Sequence, residues 1–254
     1  MTGSEAVVLG LLEGLTEFLP VSSTGHLILA SHLMGIAQDD VHKAFEVSIQ
    51  LGSILAVVVL YMKRLLAHPL LLLKLAVAFV PTGIVGLLLY KTIKSLFDSH
   101  SVAWMLILGG IVMIVIELWR KGREEPSDSV EEISLKQALM IGTFQILSMV
   151  PGTSRSAATI IGGLLAGLSR RSAAEFSFLL AVPTMIVATV YDLYKNHAAM
   201  DFSDVTNLGI GFGVAFVTAL LAIRLFLSFV ARFNFIPFAF YRIALGLFFL
   251  WVVL

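Results

Sequence analysis

The chain has 254 residues, of which 58% are hydrophobic and 13% charged, with a formal net charge of zero and a mean hydropathy of +0.96. Soluble domains carry about a quarter charged residues and under half apolar ones, so a chain this apolar along its whole length reads as a polytopic membrane protein. The balanced charge argues against a nucleic-acid partner, and the lack of cysteine excludes disulfides and thiol chemistry. Glu5 and Glu13 interrupt the first apolar run and no basic residue precedes it, so the start does not read as a cleavable signal peptide.

A bilayer core needs roughly 20 helical residues. The first apolar stretch, Glu5–Phe18, falls short at roughly 21 Å, and Pro20 with the Ser22-Ser23-Thr24 run breaks it. Thr24–Gly35 is shorter still. Two half-length helices joined by a Pro/Ser turn predict a re-entrant hairpin, tolerated at membrane depth only where it is buried in protein or lines a cavity. Spans follow at Ala44–Met62, Pro69–Tyr90 and Val102–Trp119, the second with a kink expected at Pro81. Next comes a strongly charged stretch, Arg120–Glu132, which must be solvent-exposed. Ser134–Met149 and Ser156–Gly167 are again short, flanking Val150-Pro151-Gly152. The last spans are Ala173–Tyr194, Val205–Ala231 and Phe235–Leu254.

This order predicts a single all-α integral-membrane domain over 1–254, built from two repeats of one hairpin plus three transmembrane helices. The first covers 1–120, a charged cytoplasmic linker 121–133, and the second 134–254. Local echoes support the duplication. Glu46-Val47-Ser48 matches Glu175-Phe176-Ser177, Pro20 matches Pro151, Gly35 matches Gly167 and Gly110 matches Gly246, all at a spacing of about 130 residues. An odd number of crossings per repeat inverts the second copy, as in many transporters. If Lys63 and Arg64 are cytoplasmic, that side also receives Arg120, Lys121, Arg123, Arg170, Arg171 and Arg232, against Lys91, Lys94 and Lys195 opposite. Positive-inside bias supports that orientation, and the two hairpin tips then meet near the midplane.

Ionisable groups in such surroundings are costly and are functional candidates by default. Glu13 and Glu17 are four apart, on one helix face. Two carboxylates so close either share a proton, giving a general acid or base, or hold a divalent metal between them. Ser22, Ser23 and Thr24 stand where a helix starts. One of them caps it, and the helix N-terminus at depth faces an anion. Ser154 occupies the equivalent place in the second hairpin, and Ser156 adds a hydroxyl beside it. Arg155 supplies a permanent charge whose fork suits phosphate. His26 can shuttle protons or act as a nucleophile. Thr159, one turn after Arg155, can hold the arginine or the anion, or simply pack between helices. Glu46 and Glu175 fall near the start of spans, where they complement the helix dipole. Arg224 and Arg242 are expected to snorkel or pair with an acid; the histidines outside the cluster, among them His42 and His197, receive no role. Together these groups suit hydrolysis of a phosphate ester or anhydride on a lipid.

At Glu13-Gly14-Leu15-Thr16-Glu17-Phe18-Leu19-Pro20-Val21-Ser22-Ser23-Thr24-Gly25-His26 and at Pro151-Gly152-Thr153-Ser154-Arg155-Ser156 with Thr159, the sequence resembles the bacterial undecaprenyl-diphosphatase family associated with bacitracin resistance. The resemblance continues through Gly52-Ser53-Ile54-Leu55-Ala56 and Glu175-Phe176-Ser177 and covers nearly the whole chain. It implies dephosphorylation of undecaprenyl diphosphate to the monophosphate carrier lipid of peptidoglycan synthesis. It also implies a divalent cation (Mg2+ or Ca2+) and a site in the bacterial plasma membrane, reached from the outer face. Carried over residue by residue, the glutamate pair is Glu13 and Glu17, the histidine His26 and the phosphate-binding arginine Arg155. Ser23 is the preferred nucleophile and His26 its competitor, with activated water a third candidate. The expected partners are the polyprenyl diphosphate and the bilayer, with a homodimer left open. A lipid flippase or secondary transporter, motivated by the inverted repeats and half-helices alone, is the competing reading.

Overall fold

Half-length and full-length apolar segments alternate in the sequence, and the computed structural model renders each as a helix. It describes residues 1–37, 39–95, 99–122, 125, 126, 128–196 and 203–253. Arg123, His197 and Leu254, named above, lie outside the described residues, as do positions 124 and 127 of the linker.

The helices are α1 (Gly3–Thr16), α2 (Ser23–Leu33), α3 (Asp40–Ala67), α4 (Pro69–Ser95), α5 (Ser99–Arg120), α6 (Leu135–Gln145), α7 (Arg155–Leu165), α8 (Arg170–Asn196), α9 (Val205–Val230) and α10 (Ile236–Val253). Short 3-10 turns occupy Val130–Glu132 and Ile146–Met149. Six helices are long and apolar enough to cross a membrane, at His42–Ala67, Pro69–Leu89, Ser99–Arg120, Arg170–Tyr191, Val205–Val230 and Ile236–Val253. These are the six predicted spans. The described residues contain no strand.

Helices α1, α2, α6 and α7 have 14, 11, 11 and 11 residues, too few to cross at 1.5 Å per residue. Pro20 and Pro151 stand in the two breaks, where a residue without an N–H cannot extend a helix. Downstream of each break a serine caps the next helix. Ser22 Oγ accepts from the Gly25 amide at 3.4 Å, and Ser154 Oγ from the Ala157 amide at 3.2 Å. Both serines have positive φ, 69° and 71°, a conformation that strains any residue with a Cβ. Both half-helices end alike. Gly35 and Gly167 adopt positive φ, and the Ile36 and Leu168 amides reach back to the Ser31 and Gly163 carbonyls in Schellman closures. The proline in α4 behaves otherwise than expected. The helix runs on through Pro81, and the departure from helical dihedrals falls at Leu89.

Packing interleaves the two halves of the chain. α9 lies against α1 and α3, α6 against α4 and α7, α8 against α7 and α3, and α5 against α10. Small residues set the spacing, as expected where lipid offers no hydrophobic drive between helices. A Cβ on Gly14 would come within 2.5 Å of the Ala215 carbonyl, so α1 reaches its depth on α9 only without a side chain there. At the edge of the bundle, Arg64 donates to Glu131 in the linker through two nitrogens and to Glu175 at 2.8 Å. Glu175 thus closes an ion-pair network, which also includes Arg171, in addition to sitting near its helix start.

Candidate active site

The predicted polar cluster assembles where the two breaks meet. Glu17 follows the last residue of α1 in helical conformation, its amide bonded to the Glu13 carbonyl at 2.9 Å. Glu13 and Glu17 therefore share one face of the helix. Glu17 links the two hairpins. Its Oε2 accepts from Ser23 Oγ at 2.6 Å and its Oε1 from Arg155 Nη2 at 3.0 Å. Ser23 and Arg155 are the first residues of α2 and α7, so one carboxylate joins equivalent positions of the two hairpins. Arg155 is held in turn by the Ser177 carbonyl at 2.8 Å and lies 5.7 Å from the centre of the Phe18 ring. One guanidinium edge therefore has a main-chain partner while the other is committed to the Glu17 carboxylate.

Glu13 is fully buried, and neither carboxylate oxygen has a hydrogen-bond partner. An orphaned buried carboxylate is costly unless it is protonated or coordinates a cation. Among the described residues no group of three His, Cys, Asp or Glu side chains forms a ready cage. Two carboxylates on one helix face nonetheless fit a hard divalent cation of the magnesium type, which uses one or two protein carboxylates and completes its shell with phosphate oxygens and water.

His26 is buried, with Nδ1 2.8 Å from the Ser22 carbonyl and Nε2 2.7 Å from the Tyr241 hydroxyl. A carbonyl only accepts, so Nδ1 carries the proton, and in the neutral ring Nε2 accepts from Tyr241. The two rings stack with centroids 5.6 Å apart. Both nitrogens are thus engaged, while the Ser23 hydroxyl already points its proton at a carboxylate.

The remaining predicted residues fall into two groups. Ser22 and Ser154 cap α2 and α7, and Thr24 lies half-buried beside Ser23 in the first turn of α2. Ser156 and Thr159 turn into protein. Ser156 Oγ donates to the Phe18 carbonyl at 2.7 Å, tying α7 to the first hairpin. Thr159 Oγ1 sits 2.6 Å from Ser177 Oγ and donates to the Arg155 carbonyl. Thr159 thus steadies the turn that carries Arg155. Tyr241 and Ser177 join the site without a role expected of either from the sequence. Tyr241 had one signal, a polar pair with Arg242 inside an otherwise apolar span. Arg242 itself departs from expectation. It neither snorkels nor pairs with an acid but is wholly buried and donates to main-chain carbonyls.

Six apolar helices long enough to cross a membrane, two broken hairpins and a buried hydroxyl–carboxylate–guanidinium chain define a polytopic membrane protein with a polar site inside the bundle. The chain belongs to the bacitracin resistance protein BacA family, whose model matches residues 6–248. It is 60% identical to an undecaprenyl-diphosphatase of Wolinella succinogenes over 245 residues, 96% of each chain. It is 58% identical to one of a Sulfurihydrogenibium species over 252 residues, 99% of this chain and all of that one. A relative of the same name from Persephonella marina is 57% identical over 98% of both chains.

Proposed function

We propose that the protein is a membrane-embedded undecaprenyl-diphosphatase, converting undecaprenyl diphosphate to the monophosphate and inorganic phosphate. Family membership supports the activity. The observation that carries the mechanism is the bridge from Ser23 through Glu17 to Arg155. In this reading an incoming phosphate takes the Arg155 edge from Glu17 and lies against the free N–H groups at the starts of α2 and α7. Glu17, released from the arginine, accepts the Ser23 proton. Ser23 Oγ then forms a bond to the terminal phosphorus, and the bridging P–O bond breaks with its electron pair leaving on the lipid monophosphate. The departing lipid monophosphate takes the proton from Glu17. Water then cleaves the phosphoserine, its oxygen bonding to phosphorus while its proton passes through Glu17 to Ser23 Oγ, and inorganic phosphate is released. His26, with both nitrogens occupied, orients the α2 turn in place of attacking. Glu13 and Glu17 would hold a divalent cation, which when bound would neutralise charge on the diphosphate.

The matching Schellman closures at Gly35 and Gly167 and the paired positive-φ serines support two repeats of one plan. So does the reciprocal packing of α1 on α9 and α6 on α4. Inversion of the second repeat, which the loop charge supports, brings the breaks together from opposite faces, and the family resemblance supports access to the site from the outer face of the bacterial plasma membrane.

The test is phosphate release from undecaprenyl diphosphate by purified protein in detergent with magnesium or calcium. Release that persists in Glu17→Ala and Arg155→Ala refutes this site. A wild type that releases none, yet moves the lipid between leaflets of a vesicle, establishes transport instead.

A further inference from the structure

Arg242 heads the largest side chains that are fully buried among the described residues. A permanent charge at that depth is tolerated only where partners surround it. None of its hydrogen-bond partners is a carboxylate. Nη1 donates to the Pro20 carbonyl at 3.2 Å and Nη2 to the Gly152 carbonyl at 3.1 Å. Nη2 also reaches the Met105 carbonyl at 3.0 Å, and Nε the Leu106 carbonyl at 3.3 Å. Counted from the positive-φ serines Ser22 and Ser154, Pro20 and Gly152 stand at the same offset, two residues upstream. Their carbonyls lie outside the helical ladders and need donors that a membrane interior does not supply. A single planar fork with five N–H groups satisfies both at once and anchors them on α5.

The chain keeps a space for this fork. A Cβ on Gly109 of α5 would lie 2.7 Å from Arg242 Cζ. Pro20 is three residues before Ser23, and Gly152 three before Arg155. Holding the two carbonyls on one rigid group therefore sets the separation between the Ser23–Glu17 couple and the guanidinium that binds phosphate.

We infer that Arg242 is a positioning residue that ties the two hairpin breaks in register, an inference that rests on the reading of Glu17, Ser23 and Arg155 as the site. It touches neither substrate nor reacting atoms. It acts through the main chain, and displacements near one ångström at a reacting pair cost on the order of a hundredfold in rate.

The absence of native cysteine permits spin labels at Leu15→Cys and Leu147→Cys, on exposed residues flanking the two breaks. The labelled full-length protein, in detergent, is compared with Arg242→Met, Arg242→Lys and Gly109→Ala. The tie predicts a narrow label distance in the parent and a broadened one in Arg242→Met and Gly109→Ala, with kcat lowered about 100-fold and KM changed far less. Arg242→Lys keeps the charge without the fork and recovers part of kcat. In the Arg242→Met background, Gly109→Ala adds no further loss, because both act through one group. An unchanged label distance, a normal kcat in Gly109→Ala or fully additive losses would overturn the inference. Should Arg242→Met fail to fold, Gly109→Ala decides alone, since it displaces the fork while retaining its charge. Activity that survives Glu17→Ala counts against the site reading instead, and the label distance still reports the tie.

Discussion

Glu17 and Arg155 are 138 positions apart in the chain and 3.0 Å apart in space. Both side chains are nearly buried, at 8% and 11% exposure, so the pair is exchanged readily only for another anion–arginine pair. In the proposed mechanism a phosphate provides that exchange. Glu17→Gln leaves the Ser23 hydroxyl without its proton acceptor. We expect kcat/KM for phosphate release to fall by at least about 100-fold. Arg155→Lys should fail to restore activity, because a single ammonium does not span the Ser177 carbonyl and the Glu17 carboxylate in one plane. Full activity in Arg155→Lys would remove the fork from the argument.

Ser23 rather than His26 is the expected point of covalent attachment. Acid quenching during turnover, followed by peptide mass spectrometry, should find phosphate on the peptide containing Ser23, and Ser23→Ala should abolish the signal. Tyr241→Phe frees His26 Nε2 but leaves the Ser23–Glu17 couple intact, so turnover should change only a few-fold. Phosphate recovered on His26 would reverse the assignment.

Glu13 is a liability for the fold unless something binds it. In chelator, Glu13→Gln should melt at or above the wild-type temperature, because a buried unpaired carboxylate has been neutralised. Magnesium or calcium should raise the wild-type melting temperature by mass action and leave the variant unmoved. Activity follows the same division, lost in the variant and in chelated wild type. Equal cation stabilisation of both proteins would place the metal elsewhere.

Ser156 distinguishes architecture from ligand contact. Its hydroxyl serves the Phe18 carbonyl, so Ser156→Ala strands a buried acceptor. The expected cost is about 1–3 kcal/mol of stability, with KM for the lipid diphosphate unchanged. A raised KM at unaltered melting temperature would instead return Ser156 to the phosphate site.

The linker contributes a pH dependence of its own. Hydrogen bonding to Arg64 lowers the Glu131 carboxyl from 4.5 to about 2. A carboxyl depressed by folding adds stability above its unfolded value and loses it as pH falls toward the folded one. Glu131→Gln should therefore lower the melting temperature at pH 7, and the difference from wild type should shrink between about pH 4.5 and pH 2. A difference that stays constant across that interval would show the pair to be stabilising by packing alone.

Much of this was legible locally. Hydrophobic length separates six spans from four half-helices, because the bilayer thickness is fixed and the helical rise is constant. Pro20 and Pro151 mark the breaks, since a residue without an N–H cannot continue a helix. The helix period puts Glu13 and Glu17 on one face. Pro81 misled for the same reason that Pro20 informed: a proline breaks a helix only where neighbouring packing allows the chain to turn, and α4 packs through it against α6. The partners of Tyr241 and Arg242 were opaque, because nothing local to α10 says which carbonyls or rings will stand opposite.

The opening motif, Glu13 to His26, thus determined by itself a helix, a break, a capped second helix and the chemical types at their junction. Those features depend on contacts within a few residues. Only the tertiary structure decided that Glu17 would join Ser23 to Arg155, that Ser156 and Thr159 would face protein, and that Arg242 would be wholly buried against the backbone of both breaks. Those outcomes depend on which helices meet at close range. Glycines such as Gly14 and Gly109 settle that by leaving out a side chain, and their effect appears only when the opposing surface is in place.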